Sequence, residues 1–203
     1  MSITVLTGDI IESTKLNADL LEKVQRAIAE TFSEISGWGT PARFSEYRGD
    51  GWQIAFENAS LSLRAALIIR AKLRAIDRAC DTRIAIAQGS GKLPEKIETT
   101  TDAAFVLSGR TLDQMQPAFR MASGNTPEMD AICILLDQIV SNWTSTQART
   151  ILPFLSPDDT PRQQDVAAQM GVSRQSIGKT LEAASYSYII ATLKLLEARQ
   201  PHD

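Results

Sequence analysis

The stretch EYRGDGWQIAF, residues 46–56, sets two short alternating runs on either side of Arg48-Gly49-Asp50-Gly51. Gly-Asp-Gly between such runs is a strong hairpin signal, because tight turns need backbone conformations that glycine and aspartate tolerate. It predicts one strand over RFSEYR (43–48) and a second over WQIAFE (52–57). The acid at the tip has two readings: a turn residue, or a metal ligand held out by the hairpin.

Upstream, SITVLTGDI (2–10) is rich in β-branched residues and reads as a strand ending at Gly8-Asp9. Leu20, Val24, Ile28 and Ile35, with Leu21 and Phe32, then keep helical spacing until Gly37, Gly39 and Pro41 break it. Downstream, Leu61, Ala65, Ile68, Ile69 and Ile76 mark a second helix over 59–76, and TRIAIAQG (82–89) is a further alternating strand. Strand, helix, strand, strand, helix, strand is the ferredoxin-like βαββαβ order, an antiparallel sheet with its helices on one face. A third helix, DAAFVLSGRTLDQM, and a short strand, AFRMA, close this first region, residues 1–124.

From Thr126 onward the rhythm is helical only. Met129, Ile132, Cys133, Leu136, Ile139 and Val140 follow one helix face, and Ala148, Ile151, Leu152 and Leu155 a shorter one. In QQDVAAQMGVSRQSIGKTL, Ala167 precedes Gly171 by four residues and Ile177 follows it by six. That is helix-turn-helix spacing, over about 163–182: a small residue where two helices cross, a glycine turn, and an apolar anchor for the second helix. Ser173 would cap that second helix, leaving Arg174, Gln175, Ser176 and Lys179 outward as candidate DNA contacts. Residues 143–203 carry six Lys or Arg against six Asp or Glu, so a DNA-binding module here would act as a dimer or bind weakly. Ile189, Thr192, Leu193 and Leu196 form a last stripe, read as core rather than as a pairing face.

Composition narrows the classes. The 203 residues carry a net charge of −3, which gives no global pull toward nucleic acid or an anionic membrane. The N-terminus lacks a basic, cleavable leader and no apolar run is long enough to span a bilayer, so a cytoplasmic protein without a membrane partner is expected. Cys80 and Cys133 read as reduced thiols, and a single histidine, His202, argues against histidine-based triads and His-rich metal sites. The carboxylates remain. The first strand should lie beside the hairpin, bringing Asp9 and Asp50 together. Two carboxylates without an apparent cationic partner are costly unless a cation sits between them. Oxygen donors of this kind suit Mg2+ or Mn2+ shared with nucleotide phosphate. Ser13 and Thr14, leading into a helix start expected at Lys15-Leu16, would supply hydroxyls and amides to that phosphate.

VLTGDIIEST resembles the first metal motif of class III nucleotidyl cyclases, and EYRGDGWQIAF resembles their second. TRIAIAQGSG is similar to the strand that follows, and AAFVLSGRTLD to the helix bearing an Asn-x3-Arg pair. The resemblance spans roughly residues 3–113; with the helix-turn-helix appended, the whole chain looks most like the SatD-like bacterial proteins. It implies an α+β chain: a ferredoxin-like, cyclase-like domain at 1–124 and an all-α helix-turn-helix domain at 125–203. It further implies that Asp9 and Asp50 hold two metal ions with help from the Ile10 carbonyl. Ile10, Glu12, Ser13, Thr14 and Glu46 would then bind the nucleotide, and Arg110 would stabilise charge on the transferring phosphate. A carboxylate at Glu46 favours guanine.

The departures matter equally. The expected Asn is Val106, the stretch between Gly89 and Thr101 is short, and a late phosphate-binding lysine has no match. Lys92 and Lys96 read as ordinary loop residues. Three readings stay open: a nucleotide- and metal-binding transcriptional regulator acting on DNA as a homodimer, an active cyclase using a purine nucleoside triphosphate, and a scaffold whose acids are turn residues.

Overall fold

A computed structural model describes residues 2–47, 49–98 and 100–198; the strand end expected at Arg48 and the histidine His202 lie outside the described residues. In chain order, β1 (Ser2–Ile10), α1 (Ala18–Gly37), β2 (Ala42–Tyr47), β3 (Gly51–Phe56), α2 (Ser62–Ile76) and β4 (Thr82–Ser90) form the βαββαβ unit. The sheet runs β2-β3-β1-β4-β5, with β5 at Met121–Ser123. The first four strands pair antiparallel in the ferredoxin-like order.

Two features differ from the expectation. β5 runs parallel to β4 and begins at Met121, because Phe119 N donates to Gln116 O and closes a turn where a strand was expected. The third helix, α3 (Ala103–Gln114), does not join α1 and α2 but covers the opposite face of the sheet. The alternation of β1 makes that division. Leu6 and Ile10 point with Trp52, Ile54 and Ile84 into the core under α1 and α2. Ile3 and Val5 point the other way, with Ala55, toward Ala104 and Phe105 of α3.

The remainder is helical: α4 (Pro127–Ser141), α5 (Ser145–Ile151) running into a short 3-10 turn, α6 (Gln163–Met170), α7 (Arg174–Ala183) and α8 (Tyr186–Glu197). Ile189 and Leu193 of α8 are buried, as a core stripe requires. These helices share one apolar core with the sheet through α2, which is buried nearly all round. A helix so placed must also bury its polar residues. Arg64 does so against Glu197, with Nε–Oε1 at 2.6 Å, and donates to Leu155 O at 2.8 Å, tying α2 to the end of α8. Arg70 is wholly buried and donates to Asp81 at 2.8 and 2.7 Å, to Asp137 at 2.6 Å and to Ser141 Oγ at 2.9 Å. Arg74 reaches Asp81 and the Trp143 carbonyl. Burial by itself would lower the affinity of Arg70 for its proton; the carboxylates of Asp81 and Asp137 outweigh this and hold it above the usual value.

Among the described residues, no helix is long and apolar enough to cross a membrane. Cys80 and Cys133 are free and buried. Burial, with the charges of Asp130 and Asp137 adding to it, pushes the Cys133 thiol up to about 12.

Arg70→Met leaves Asp81 and Asp137 short of a cation and is expected to destabilise the chain by about 3–5 kcal/mol in urea denaturation. A loss under about 1 kcal/mol would show the network to be dispensable. Cys133 makes a second expectation. Its folded pKa lies above the unfolded value, so its contribution is complete below about pH 9 and is lost as pH climbs toward 12. Cys133→Ala should flatten the decline in stability above pH 9 relative to wild type.

Candidate functional site

The end of the sheet where β1 stops and β3 starts is shaped by one close approach. Gly8 sits opposite Trp52, and a Cβ there would lie 2.4 Å from both the indole and the Arg83 carbonyl, so only glycine lets the ring cross the strand. The indole Nε1 donates to Thr82 Oγ1 at 3.0 Å, and Thr82 Oγ1 donates to the Asp9 carbonyl at 2.6 Å. Asp9 is therefore fixed through its own backbone, in register with Gly51 on one side and Arg83 on the other.

Asp50 occupies the hairpin turn, half-buried. Its carbonyl accepts from Ile10 N at 3.0 Å and its carboxylate accepts from Ser13 Oγ at 3.0 Å, while Gln25 holds the neighbouring Gly49 carbonyl. The hairpin tip thus folds back onto the segment after β1, and Ile10, Ser13, Asp9 and Asp50 share one end of the sheet. Glu12 takes a left-handed conformation, φ 50°, and pairs with Lys15 on the surface. Thr14 is exposed in the 3-10 turn Ser13–Lys15. The helix itself begins later than expected, at Ala18, because Asn17 caps it by accepting from Leu20 N at 2.9 Å.

The premise that the two acids lack a cation is corrected by Arg83. It sits directly opposite Asp9 in the β1–β4 ladder, and its guanidinium grips both carboxylate oxygens, Nε to Oδ1 at 2.8 Å and Nη2 to Oδ2. Those hydrogen bonds hold Arg83 above its ordinary pKa against partial burial, and the charges of Asp9, Asp113 and Asp50 act in the same direction. The sequence gives Arg83 only as one position of an alternating strand; its facing Asp9 depends on a register between residues 74 apart in the chain.

Glu46 is exposed, and with Asp50, Ile10 and Gln25 it lines a cleft of about 200 Å³. Val106 is 38% exposed on α3. Arg110, on the same helix, is exposed and has no partner among the described residues. On that side of the sheet, Ser108 rather than Arg110 meets the strands, with its hydroxyl 2.7 Å from Thr7 Oγ1.

In the helical region, α6 and α7 are joined by a three-residue turn. Gly171 takes φ 66° and closes α6, Ser173 accepts from Ser176 N at 3.1 Å and opens α7, and Ala167 and Ile177 are buried between them. Arg174, Gln175, Ser176 and Lys179 are all exposed, although the Ser176 hydroxyl lies 2.9 Å from that of Ser173.

As to metal, no group of three or more His, Cys, Asp or Glu side chains able to hold an ion occurs among the described residues. Two carboxylates and a backbone carbonyl are nevertheless hard oxygen donors, a set that fits Mg2+ or Mn2+ if water and phosphate oxygens complete the shell.

No protein-family model matches the chain, and no curated protein matches it. Among solved structures it is similar to the crystal structure of the guanylyl cyclase Cya2, at 19% identity over 61% of this chain and 74% of that one, with a TM-score of 0.43. It is also similar to the structure of a bacterial light-regulated adenylyl cyclase, at 18% identity over 60% and 74% of the two chains, with a TM-score of 0.44. The ferredoxin-like assignment rests on the strand order and register themselves.

Proposed function

We propose that this chain binds a nucleoside triphosphate with a divalent cation at the Asp9–Asp50 end of the sheet and binds DNA through α7, as a nucleotide-responsive regulator. The observation that carries the first half is the double attachment of Asp50, carbonyl to Ile10 N and carboxylate to Ser13 Oγ, which holds the hairpin tip against the end of β1 that carries Asp9. Asp9, Asp50 and the Ile10 carbonyl would hold the cation. When bound, it would neutralise phosphate charge and polarise the phosphoryl group. Ser13, Thr14 and Glu12 border the place for the phosphates, and Glu46 lines the cleft suited to a purine edge. On this reading the residues before and after about 124 divide the two tasks while sharing one core.

Binding without turnover is favoured by Val106. A half-exposed valine cannot orient a ribose by hydrogen bonding, and lost orientation alone reduces rates by orders of magnitude. The cleft of about 200 Å³ is also smaller than the roughly 300 Å³ at which ligand pockets begin, so one copy alone encloses a nucleotide poorly. One observation supports the alternative of an active cyclase. Arg110 stands exposed on α3, free to reach a nucleotide held by a second copy, where its planar fork suits a transferring phosphate.

The deciding assay incubates wild type and Asp50→Ala with ATP, GTP, CTP and UTP in Mn2+, reading products by mass spectrometry and binding by calorimetry. Nucleotide binding that Asp50→Ala weakens at least tenfold, with no product, is expected. A cyclic product from wild type alone would make the alternative correct, and no binding to any nucleotide would end both readings. For DNA, a labelled duplex selected from a random pool should bind wild type. Arg174→Ala with Lys179→Ala should cost about ten- to a hundredfold and flatten the salt dependence. An unchanged affinity and salt slope would remove α7 from the interface.

A further inference from the structure

We propose that Arg83 is a built-in counterion that occupies Asp9 and must turn away, toward Asp113, before a divalent cation can enter. This rests on the reading of Asp9 and Asp50 as the metal site. Geometry supplies the competition. The guanidinium fork takes one lone pair of each Asp9 oxygen, so a cation that chelates Asp9 from that side must displace it, and a cation on the remaining lone pairs faces the repulsion of a second positive charge across one carboxylate.

The exposure of the pair says that it can open. The Arg83 and Asp9 side chains are 32% and 26% exposed, whereas Arg70 is 0% exposed and held by Asp81, Asp137 and Ser141. A guanidinium reached by water loses little on leaving one carboxylate if another waits nearby. Asp113 is that carboxylate. It is exposed on α3, the helix covering the sheet face to which Asp9 and Arg83 point, and its charge already acts on Arg83. Asp113 has no hydrogen-bond or ion-pair partner among the described residues. Asp50 also acts on Arg83, but its carboxylate already accepts from Ser13 and belongs to the metal set.

Free Mn2+ is therefore expected to bind the wild-type chain weakly, and removal of the counterion should tighten binding. The test is Mn2+ alone, titrated into the full chain and followed by electron paramagnetic resonance of the unbound ion. Arg83→Gln should bind about five- to tenfold tighter than wild type. Asp113→Asn, which takes away the second resting place, should bind about two- to threefold weaker, and should have no effect once Arg83 is already Gln. If wild type and Arg83→Gln bind Mn2+ equally, or the variant more weakly, the counterion role is wrong while the metal site stands. If neither binds Mn2+ at all, the metal reading itself fails and this proposal goes with it. Should Arg83→Gln not fold, Arg83→Lys is read in its place; it keeps the charge without the fork, and the same tightening is expected to a lesser degree.

Discussion

A guanidinium with no access to water must find acceptors for its donors, and in this protein the Arg70 side chain dictates what lies around it. Its acceptors come from Asp81, the residue just before β4, and from α4, at Asp137 and Ser141. The helical region therefore cannot sit elsewhere on α2 without orphaning a charge. The same aspartate passes the constraint to the sheet: the Asp81 carbonyl accepts from Ile11 N, and its carboxylate accepts from Thr82 N. Thr82 in turn fixes the Asp9 carbonyl. The placement of the candidate site follows from the burial of a charge two strands' ends away.

Ion pairs in this molecule fall on a scale of exposure, and the scale sorts them by what they can do. Arg70 with Asp81 and Asp137 is sealed and serves the fold. Lys15 with Glu12, 71% and 59% exposed, is an ordinary surface pair of small worth. Arg83 with Asp9 lies between: dry enough to be specific, wet enough to exchange. Arg64 with Glu197 sits near the sealed end, which suits a clasp between α2 and the last helix.

What was legible in the sequence was local. The hairpin around Asp50 declares itself because turn chemistry is written in four adjacent residues, and the α6–α7 turn because Ala167, Gly171 and Ile177 are close along the chain. The alternation of 2–10 and 82–89 gave the strands but not which residue faces which, so Arg83 stayed hidden as the partner of Asp9. In α2, Arg64, Arg70 and Arg74 look like a solvent-facing stripe until α4, α5 and α8 are packed over them. The side taken by α3 was equally invisible, since small residues such as Ala85, Ala104 and Ala122 fit either face.

The buried indoles give the molecule a property of another kind. Trp52 is tied through Thr82 to the backbone of Asp9, and Trp143 donates to the Ala184 carbonyl at 3.0 Å, where α7 gives way to α8. Each ring is nearly sealed, and each reads a different part of the chain, so the protein carries two native optical reporters without any label. With Trp38 replaced by phenylalanine, and one or other indole removed in turn, emission from the Asp9 end of the sheet and from the helical region would be recorded as separate channels.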